Sequence, residues 1–85
     1  MKVLIPSALY SYTEHAQVNA DGATLSAALA DLDRQYPGIR FRMIDEQERM
    51  RPHIRFFVNG EQVHDLAHPL RATEELIIVQ ALSGG

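Results

Sequence analysis

The feature that most restricts the fold is the run Leu76-Ile77-Ile78-Val79 close to the carboxyl end. Consecutive branched apolar residues are typical of a strand that is buried within a sheet. A strand this apolar is poorly suited to a solvent-exposed edge, so we expect it in the sheet interior. The run leads into a tail that finishes with Gly84-Gly85. Because Gly has no Cβ and accepts almost any φ/ψ, such a tail can enter a channel too narrow for other residues.

The length of the chain bounds its core and its number of domains. With 85 residues, it forms one domain that buries roughly 60% of its unfolded surface, which is enough for a single modest core. The sequence contains no cysteine, which excludes disulfides and thiolate zinc sites. If the protein handles sulfur, a side-chain thiol therefore does not carry it.

Charge and hydropathy argue against two classes of partner. The net charge is −3 at pH 7, whereas a nucleic-acid binder normally shows a clustered basic face. The arginines are interleaved with acids, most densely between positions 40 and 55, which favours a solvated loop over a phosphate-binding stripe. No apolar run approaches the ~20 residues of a membrane span, and the first residues lack a signal-peptide pattern. We expect a cytoplasmic protein that binds neither nucleic acid nor membrane.

The first part of the chain predicts two strands. Residues 1–6 are mostly apolar β-formers and end at Pro6, which cannot donate to a strand ladder. Residues 7–13 are polar and aromatic, and we expect a connecting turn there. Residues 14–20 alternate weakly, with Ala16, Val18 and Ala20 on one side, which predicts a second strand antiparallel to the first.

A helix follows with clear boundaries. Thr24 is a favourable N-cap after the turn over residues 21–23. Five apolar or aromatic residues share one helical face: Leu25, Ala28, Leu29, Leu32 and Tyr36. Pro37-Gly38 ends the helix.

The second half of the chain predicts a hairpin and the final strand. Residues 39–53 hold no period, and we expect a partly ordered connection from which Phe41 and Ile44 enter the core. Residues 54–58 predict a strand, Asn59-Gly60 is a strong hairpin signal, and residues 61–63 form the returning strand. A polar turn over residues 71–75 precedes the last strand.

The order β-β-α-β-β-β predicts an α+β fold with one main helix on one face of a mixed sheet of four or five strands. The last strand should lie beside the first and parallel to it, which is the β-grasp (ubiquitin-like) layout. We predict a β-grasp domain over residues 1–82 and a flexible diglycine tail over residues 83–85.

Most other chemistry-bearing side chains fit structural or solvated roles. His64 and His68 are four residues apart, a spacing that binds metal on a helix, but Pro69 argues against a helix there and no further ligand completes a site. His15 and His53 are isolated, and we expect both to face solvent. Four acids fit solvated faces better than an acid/base pair: Asp31, Asp33, Glu74 and Glu75.

Phe56 and Phe57 are adjacent in a strand, so their side chains point to opposite faces of the sheet. One should be in the core and the other on the open face. With part of the last strand, the outward ring would form a docking patch for a partner protein. Which of the two faces outward depends on the register of the sheet.

Four short motifs, in this order and spacing, resemble the ubiquitin-like sulfur carriers of the MoaD/ThiS family. They are Gly22-Ala23-Thr24-Leu25, Phe57-Val58-Asn59-Gly60, His68-Pro69-Leu70 and the terminal Leu82-Ser83-Gly84-Gly85. The long segment after the helix looks more like the molybdopterin-synthase and cysteine-pathway members than the shorter thiamine carrier. Gln80 stands where members often have proline, and residues 72–75 lack the usual Gly and Asp. These departures leave the sub-family open.

The resemblance implies a chemistry for the tail. The Gly85 carboxylate, an anion at neutral pH, would attack the α-phosphate of ATP, and the resulting acyl-adenylate would accept sulfur to become a thiocarboxylate. Gly85 is then the modified residue, and Leu82, Ser83 and Gly84 enter the partner's channel. The sequence offers no phosphate loop and no nucleophile beside a base. The chain would therefore be a carrier with no catalytic residue, cofactor or metal of its own.

The implied partners are an E1-like adenylating enzyme that uses ATP in trans, a sulfur donor and a sulfur-accepting biosynthetic enzyme. Two alternatives to a free sulfur carrier stay open on the sequence. One is the small subunit of molybdopterin synthase, whose tail inserts into a larger catalytic partner. The other is a ubiquitin-like protein modifier or a plain docking domain.

Overall fold

Strand β5 (Glu75–Gln80) lies in the middle of a five-stranded sheet with the order β2-β1-β5-β3-β4. We describe residues 1–81 from a computed structural model; the predicted tail and its boundary, residues 82–85, lie outside the described residues. The other strands are β1 (Lys2–Leu4), β2 (Gln17–Asn19), β3 (Ile54–Val58) and β4 (Glu61–Val63). Strand β5 runs parallel to β1, and the other neighbouring strands are antiparallel. The predicted β-grasp layout is confirmed.

The main helix, α2 (Leu25–Gln35), packs against the sheet through the predicted face. Its N-cap is Thr24, whose hydroxyl oxygen accepts the Ala27 N–H at 3.2 Å. Leu25, Ala28, Leu29 and Leu32 are buried, as the 3.6-residue period requires. Tyr36 follows the helix as its C-cap and is only partly buried against the core.

A close backbone approach fixes the start of α2. Gly22 passes so near the first turn that a Cβ there would lie 2.4 Å from the Ala28 nitrogen and 2.6 Å from the Ala27 carbonyl carbon. On the other side, the Leu25 N–H donates to the His68 carbonyl at 2.9 Å and the Ser26 N–H donates to the Leu66 carbonyl at 2.8 Å. The segment before β5 therefore satisfies N–H groups that a helix start leaves unpaired.

The connection between β1 and β2 is more structured than a turn. A 3₁₀ turn (Ser7–Leu9) leads into a single helical turn, α1 (Tyr10–Thr13). Leu9 and Thr13 are buried. The predicted turn was wrong because Leu9 packs into the hydrophobic core. The polar and aromatic character of the rest of the segment does not reveal this packing.

Strand β2 is shorter than predicted and begins at Gln17. Val18 and Ala20 are buried as expected, but Ala16 is exposed. The reason is that Glu14 adopts a left-handed conformation with φ of 59°, which ends α1 and turns the chain before the strand begins.

The connection after α2 contains a short helix, α3 (Ile39–Met43), where the sequence predicted only partial order. Ile39 and Met43 are four residues apart, on one helical face, and both are buried together with Ile44. Phe41 lies on the opposite face and is 56% exposed, so the prediction that it enters the core was wrong. Within residues 1–81, no helix is long and apolar enough to cross a membrane.

Candidate functional site

The chain leaves the sheet at a fixed point. Gln80, the last residue of β5, pairs with Ile54 at the start of β3. The next residue, Ala81, donates its N–H to the His53 carbonyl at 2.7 Å. The residues that precede the predicted tail are therefore tied to the start of β3, and this end of the sheet sets where the tail begins.

An apolar patch on the open face of the sheet leads to this point. Leu76 and Ile78 point into the core, so the alternate residues Ile77 and Val79 point outward. Ile77 pairs with Leu4 on one side and with Phe57 on the other. We call Leu4, Phe57, Ile77 and Val79 the open-face patch.

The register answers the question that the sequence left open. Phe56 pairs with Ile78 and is fully buried, whereas Phe57 is half-buried on the open face. Phe57 is thus the outward ring, and it is joined by part of the last strand. The predicted composition of the patch is confirmed, and its use for docking stays a prediction.

Charged residues border the open-face patch. At the far end, Lys2 and Glu75 lie opposite each other and form an ion pair at 2.8 Å. At the tail end, Arg55 pairs in register with Val79. Its guanidinium donates to the carbonyl of Ile54 at 3.1 Å and to that of Pro52. An apolar strip with polar ends resembles a small protein–protein interface, where an apolar centre is surrounded by a polar rim.

A second surface lies beside Ala81, the point at which the chain leaves the sheet, which we call the tail exit. A cleft of about 230 Å³, which we call the Phe41 cleft, is lined by Phe41, Arg42, Arg51 and His53. The Arg51 guanidinium stacks over the Phe41 ring at 4.6 Å from its centroid. This cleft was not predicted from the sequence. The sequence signal that could have indicated it is the four-residue spacing of Ile39 and Met43, which is typical of a helix with Phe41 on its outer side.

Asp31 and Asp33, which the sequence assigned to solvated faces, accept backbone hydrogen bonds at separate places in the fold. The pKa of the Asp31 carboxyl lies below its usual range, first because it accepts the Asp21 backbone N–H and then through Arg34 and Gln35. Asp33 accepts the backbone N–H groups of Gly38 and Arg40 at 3.1 and 3.2 Å. These carboxylates order turns and are not arranged as an acid/base pair.

The remaining candidates are also in separate places. Glu74 accepts the Arg71 backbone N–H at 2.7 Å and the Asn59 side-chain amide at 2.9 Å. His64 and His15 are exposed, and His68 is half-buried in the segment that covers the start of α2. His53, expected at the surface, is half-buried in the Phe41 cleft. In the described part of the chain, no three His, Asp or Glu side chains come together as a set of metal ligands.

The residues predicted to carry the chemistry follow Ala81 directly in the sequence. Leu82, Ser83, Gly84 and Gly85 lie outside the described residues. What the fold establishes is the site from which they start, between the open-face patch and the Phe41 cleft.

Comparison with known proteins gives a consistent result. The model of the ThiS family matches residues 3–85. The sulfur carrier protein CysO of Mycobacterium tuberculosis is 33% identical over 89 aligned positions, which cover 98% of this chain and 96% of the relative.

Solved structures agree with the family match. A chain in the crystal structure of the Amycolatopsis orientalis BexX/CysO complex is 31% identical, with a TM-score of 0.91 and coverage of 99% of this chain and 98% of that one. The small archaeal modifier protein 1 of H. volcanii is 25% identical, with a TM-score of 0.79 and coverage of 96% and 97%.

Proposed function

The chain belongs to the ThiS family, and from this premise we propose that it is a sulfur carrier whose Gly85 carboxyl group bears the sulfur as a thiocarboxylate. The sulfur is destined for the biosynthesis of cysteine or of a sulfur-containing cofactor. The observation that carries the proposal is the apolar open-face patch that runs to the tail exit at Ala81, where the chain is held to the His53 carbonyl at 2.7 Å. When a partner covers the patch, the tail starts at the edge of the interface and can enter that partner there.

The proposed chemistry has two steps. An oxygen of the Gly85 carboxylate attacks the α-phosphate of ATP, and the bond to pyrophosphate breaks. Hydrosulfide from the donor then attacks the carbonyl carbon of this acyl-adenylate, the carbonyl C–O bond to AMP breaks, and loss of the proton on sulfur leaves the thiocarboxylate. The carboxylate alone is a poor electrophile, so the adenylate supplies the leaving group that sulfur needs.

The chain takes part as a carrier and not as a catalyst. An E1-like adenylating enzyme binds ATP and supplies the catalytic groups. A separate donor provides the sulfur, and a biosynthetic enzyme accepts it. Leu82, Ser83 and Gly84 pass through the channels of these partners, and the two glycines fit because they have no side chain beyond hydrogen. The same surface and tail would serve each partner in turn.

The test is intact-mass analysis after incubation with ATP, a sulfide source and an adenylating enzyme from the organism that encodes the chain. The expected result is the mass change of one oxygen replaced by sulfur, localised to Gly85. A variant with one alanine added after Gly85 is the matched control. It should unfold at the same denaturant concentration as the wild type and should not gain sulfur.

Three other results would contradict the proposal. An unchanged mass with normal partner binding would indicate a plain docking domain. Adducts joined to lysines through Gly85 would indicate a protein modifier. If the added alanine lowered the stability of the domain, the tail would be part of the fold and not a free handle.

A further inference from the structure

We propose that the Phe41 cleft is a docking site for an acidic side chain on the adenylating enzyme, beside the channel that receives the tail. The inference rests on the proposed function, because it concerns the partner that takes up Gly85. It assigns a role to Arg42 and Arg51, which the open-face patch does not include.

The two arginines are held in position through one nitrogen each. Arg51 donates its Nε–H to the Phe41 carbonyl at 2.7 Å while its guanidinium stacks on the Phe41 ring. Arg42 donates its Nε–H to the Tyr12 hydroxyl at 2.7 Å, with its guanidinium 5.9 Å from that ring's centroid. Within residues 1–81 the terminal nitrogens of both groups donate to no acceptor, so they can bind a carboxylate. Because both guanidinium groups are already oriented, binding a carboxylate costs less side-chain conformational entropy than it would for a free arginine.

The charges of these arginines are not neutralised by ion pairs within residues 1–81. Described carboxylates pair instead with Lys2, Arg34, Arg40 and Arg49 and with the amino terminus. Asp45 does sense Arg51, but the pKa of its carboxyl is held below the usual range mainly by the Arg49 backbone N–H, and Arg51 contributes least. Two oriented cations beside an exposed aromatic ring therefore form a local positive site on a chain whose net charge is −3.

The position of the cleft selects the partner. His53 is one of the residues that line the cleft, and its carbonyl accepts the Ala81 N–H at the tail exit. The four residues that follow can span at most about 14 Å, at about 3.3–3.6 Å per residue. Any enzyme that reaches Gly85 must bring its channel mouth within that distance of Ala81, which is bonded to one of the residues that line the cleft. An acidic residue there would meet both guanidiniums, and such pairing mainly accelerates correct association.

The experiment measures steady-state adenylation by pyrophosphate exchange, with the cognate adenylating enzyme and carrier as the varied substrate. For the double variant Arg42→Glu/Arg51→Glu, we expect the KM for the carrier to rise about tenfold or more at ~0.1 M salt, with kcat at saturation unchanged. The increase should shrink as salt is raised, because screening weakens repulsion between exposed charges. The KM for ATP should not change.

Further variants control for charge, geometry and folding. Arg71→Glu reverses one charge before β5 and is compared with Arg42→Glu and Arg51→Glu made singly. The six residues of β5 place it roughly 20 Å from the tail exit at ~3.3 Å per residue, and it should leave the KM unchanged. Arg42→Lys/Arg51→Lys keeps the charges but loses the guanidinium groups, and we expect an intermediate KM. Arg42→Gln/Arg51→Gln removes charge with less risk to the fold, and circular dichroism melting checks each variant.

The results separate this inference from the proposed function. If the wild-type carrier is adenylated and the reversed variant has the same KM, the cleft does not dock and the proposal is overturned. It is equally overturned if Arg71→Glu has the same effect, or if the ATP KM rises instead, since the arginines would then contact nucleotide. If the wild type is not adenylated at all, the function itself is wrong and this inference falls with it.

Discussion

Replacing Gly22 by alanine tests the close packing that holds α2 on the sheet. The new Cβ would lie 2.4 Å from the Ala28 nitrogen and 2.6 Å from the Ala27 carbonyl carbon, where ordinary contacts begin at 3.4 Å. Both neighbours are backbone atoms of the first helical turn, so a side-chain rotation cannot relieve the overlap. The helix start or the Gly22 loop must move by about 1 Å, which is the shortfall of 3.4 minus 2.4 Å.

That movement has a free-energy cost. Overpacking in a close-packed region typically costs about 1–3 kcal/mol. The shift also strains the hydrogen bonds from Leu25 and Ser26 to the carbonyls of His68 and Leu66, each worth about 0.5–1.5 kcal/mol. We therefore expect Gly22→Ala to lower the free energy of unfolding by about 2–5 kcal/mol, a large part of the total for a domain this small.

Urea unfolding followed by far-UV circular dichroism measures the change. The matched control is Gly60→Ala in the hairpin turn, where no heavy atom lies within 4 Å of the new Cβ but φ is +80°. Only backbone strain applies there, and the expected cost is roughly 1–2 kcal/mol. If Gly22→Ala cost less than Gly60→Ala, the close approach would not be what holds the helix, and the packing argument would be refuted.

Three sets of substitutions test the assigned faces, the helix cap and the linkage to pH. Phe56→Ala should lower the free energy of unfolding by about 3–5 kcal/mol because the ring is fully buried. Phe57→Ala should cost less than half as much in urea unfolding, and its main effect should be weaker partner binding. Equal destabilisation by the two substitutions would contradict the assigned faces. Thr24→Ala should cost about 1 kcal/mol through the lost N-cap, and Thr24→Ser should restore it. Because hydrogen bonding to the Asp21 N–H lowers the pKa of Asp31 in the folded state, its carboxylate stabilises the fold at neutral pH, and that contribution disappears as the pH falls below about 4. The melting-temperature difference between wild type and Asp31→Asn should shrink towards acid pH, and a constant difference would argue against the linkage.

The family comparisons and the fold agree on a sulfur carrier, and the described geometry explains most of the motifs that first indicated it. Gly22 and Thr24 set the start of α2, and the segment around His68 covers that start from the other side. Asn59-Gly60 forms the two-residue turn between β3 and β4, with φ of 51° and 80°. These motifs build the scaffold, while the proposed chemistry rests on Gly85.

The amino-acid sequence by itself determined the elements whose signals are local. The period of α2, the turn at Asn59-Gly60 and the apolar run of β5 each depend on neighbouring residues, so the α+β order and the central place of β5 can be inferred from the chain alone. Prediction from the sequence failed where local signals conflict with tertiary packing. Residues 39–43 are too few to show a helical period clearly, and Phe41 is apolar enough to be expected inside.

Tertiary structure alone decided which surfaces face outward around the tail exit. Adjacent residues in a strand point to opposite faces, so only the pairing of Phe57 with Ile77 places Phe57 in the open-face patch. Likewise, Arg42 and Arg51 come together around Phe41 because Ile39 and Met43 turn the other side of α3 into the core. A one-dimensional pattern gives the period of an element, but the sheet register and the packing of α3 determine what stands beside the end of β5.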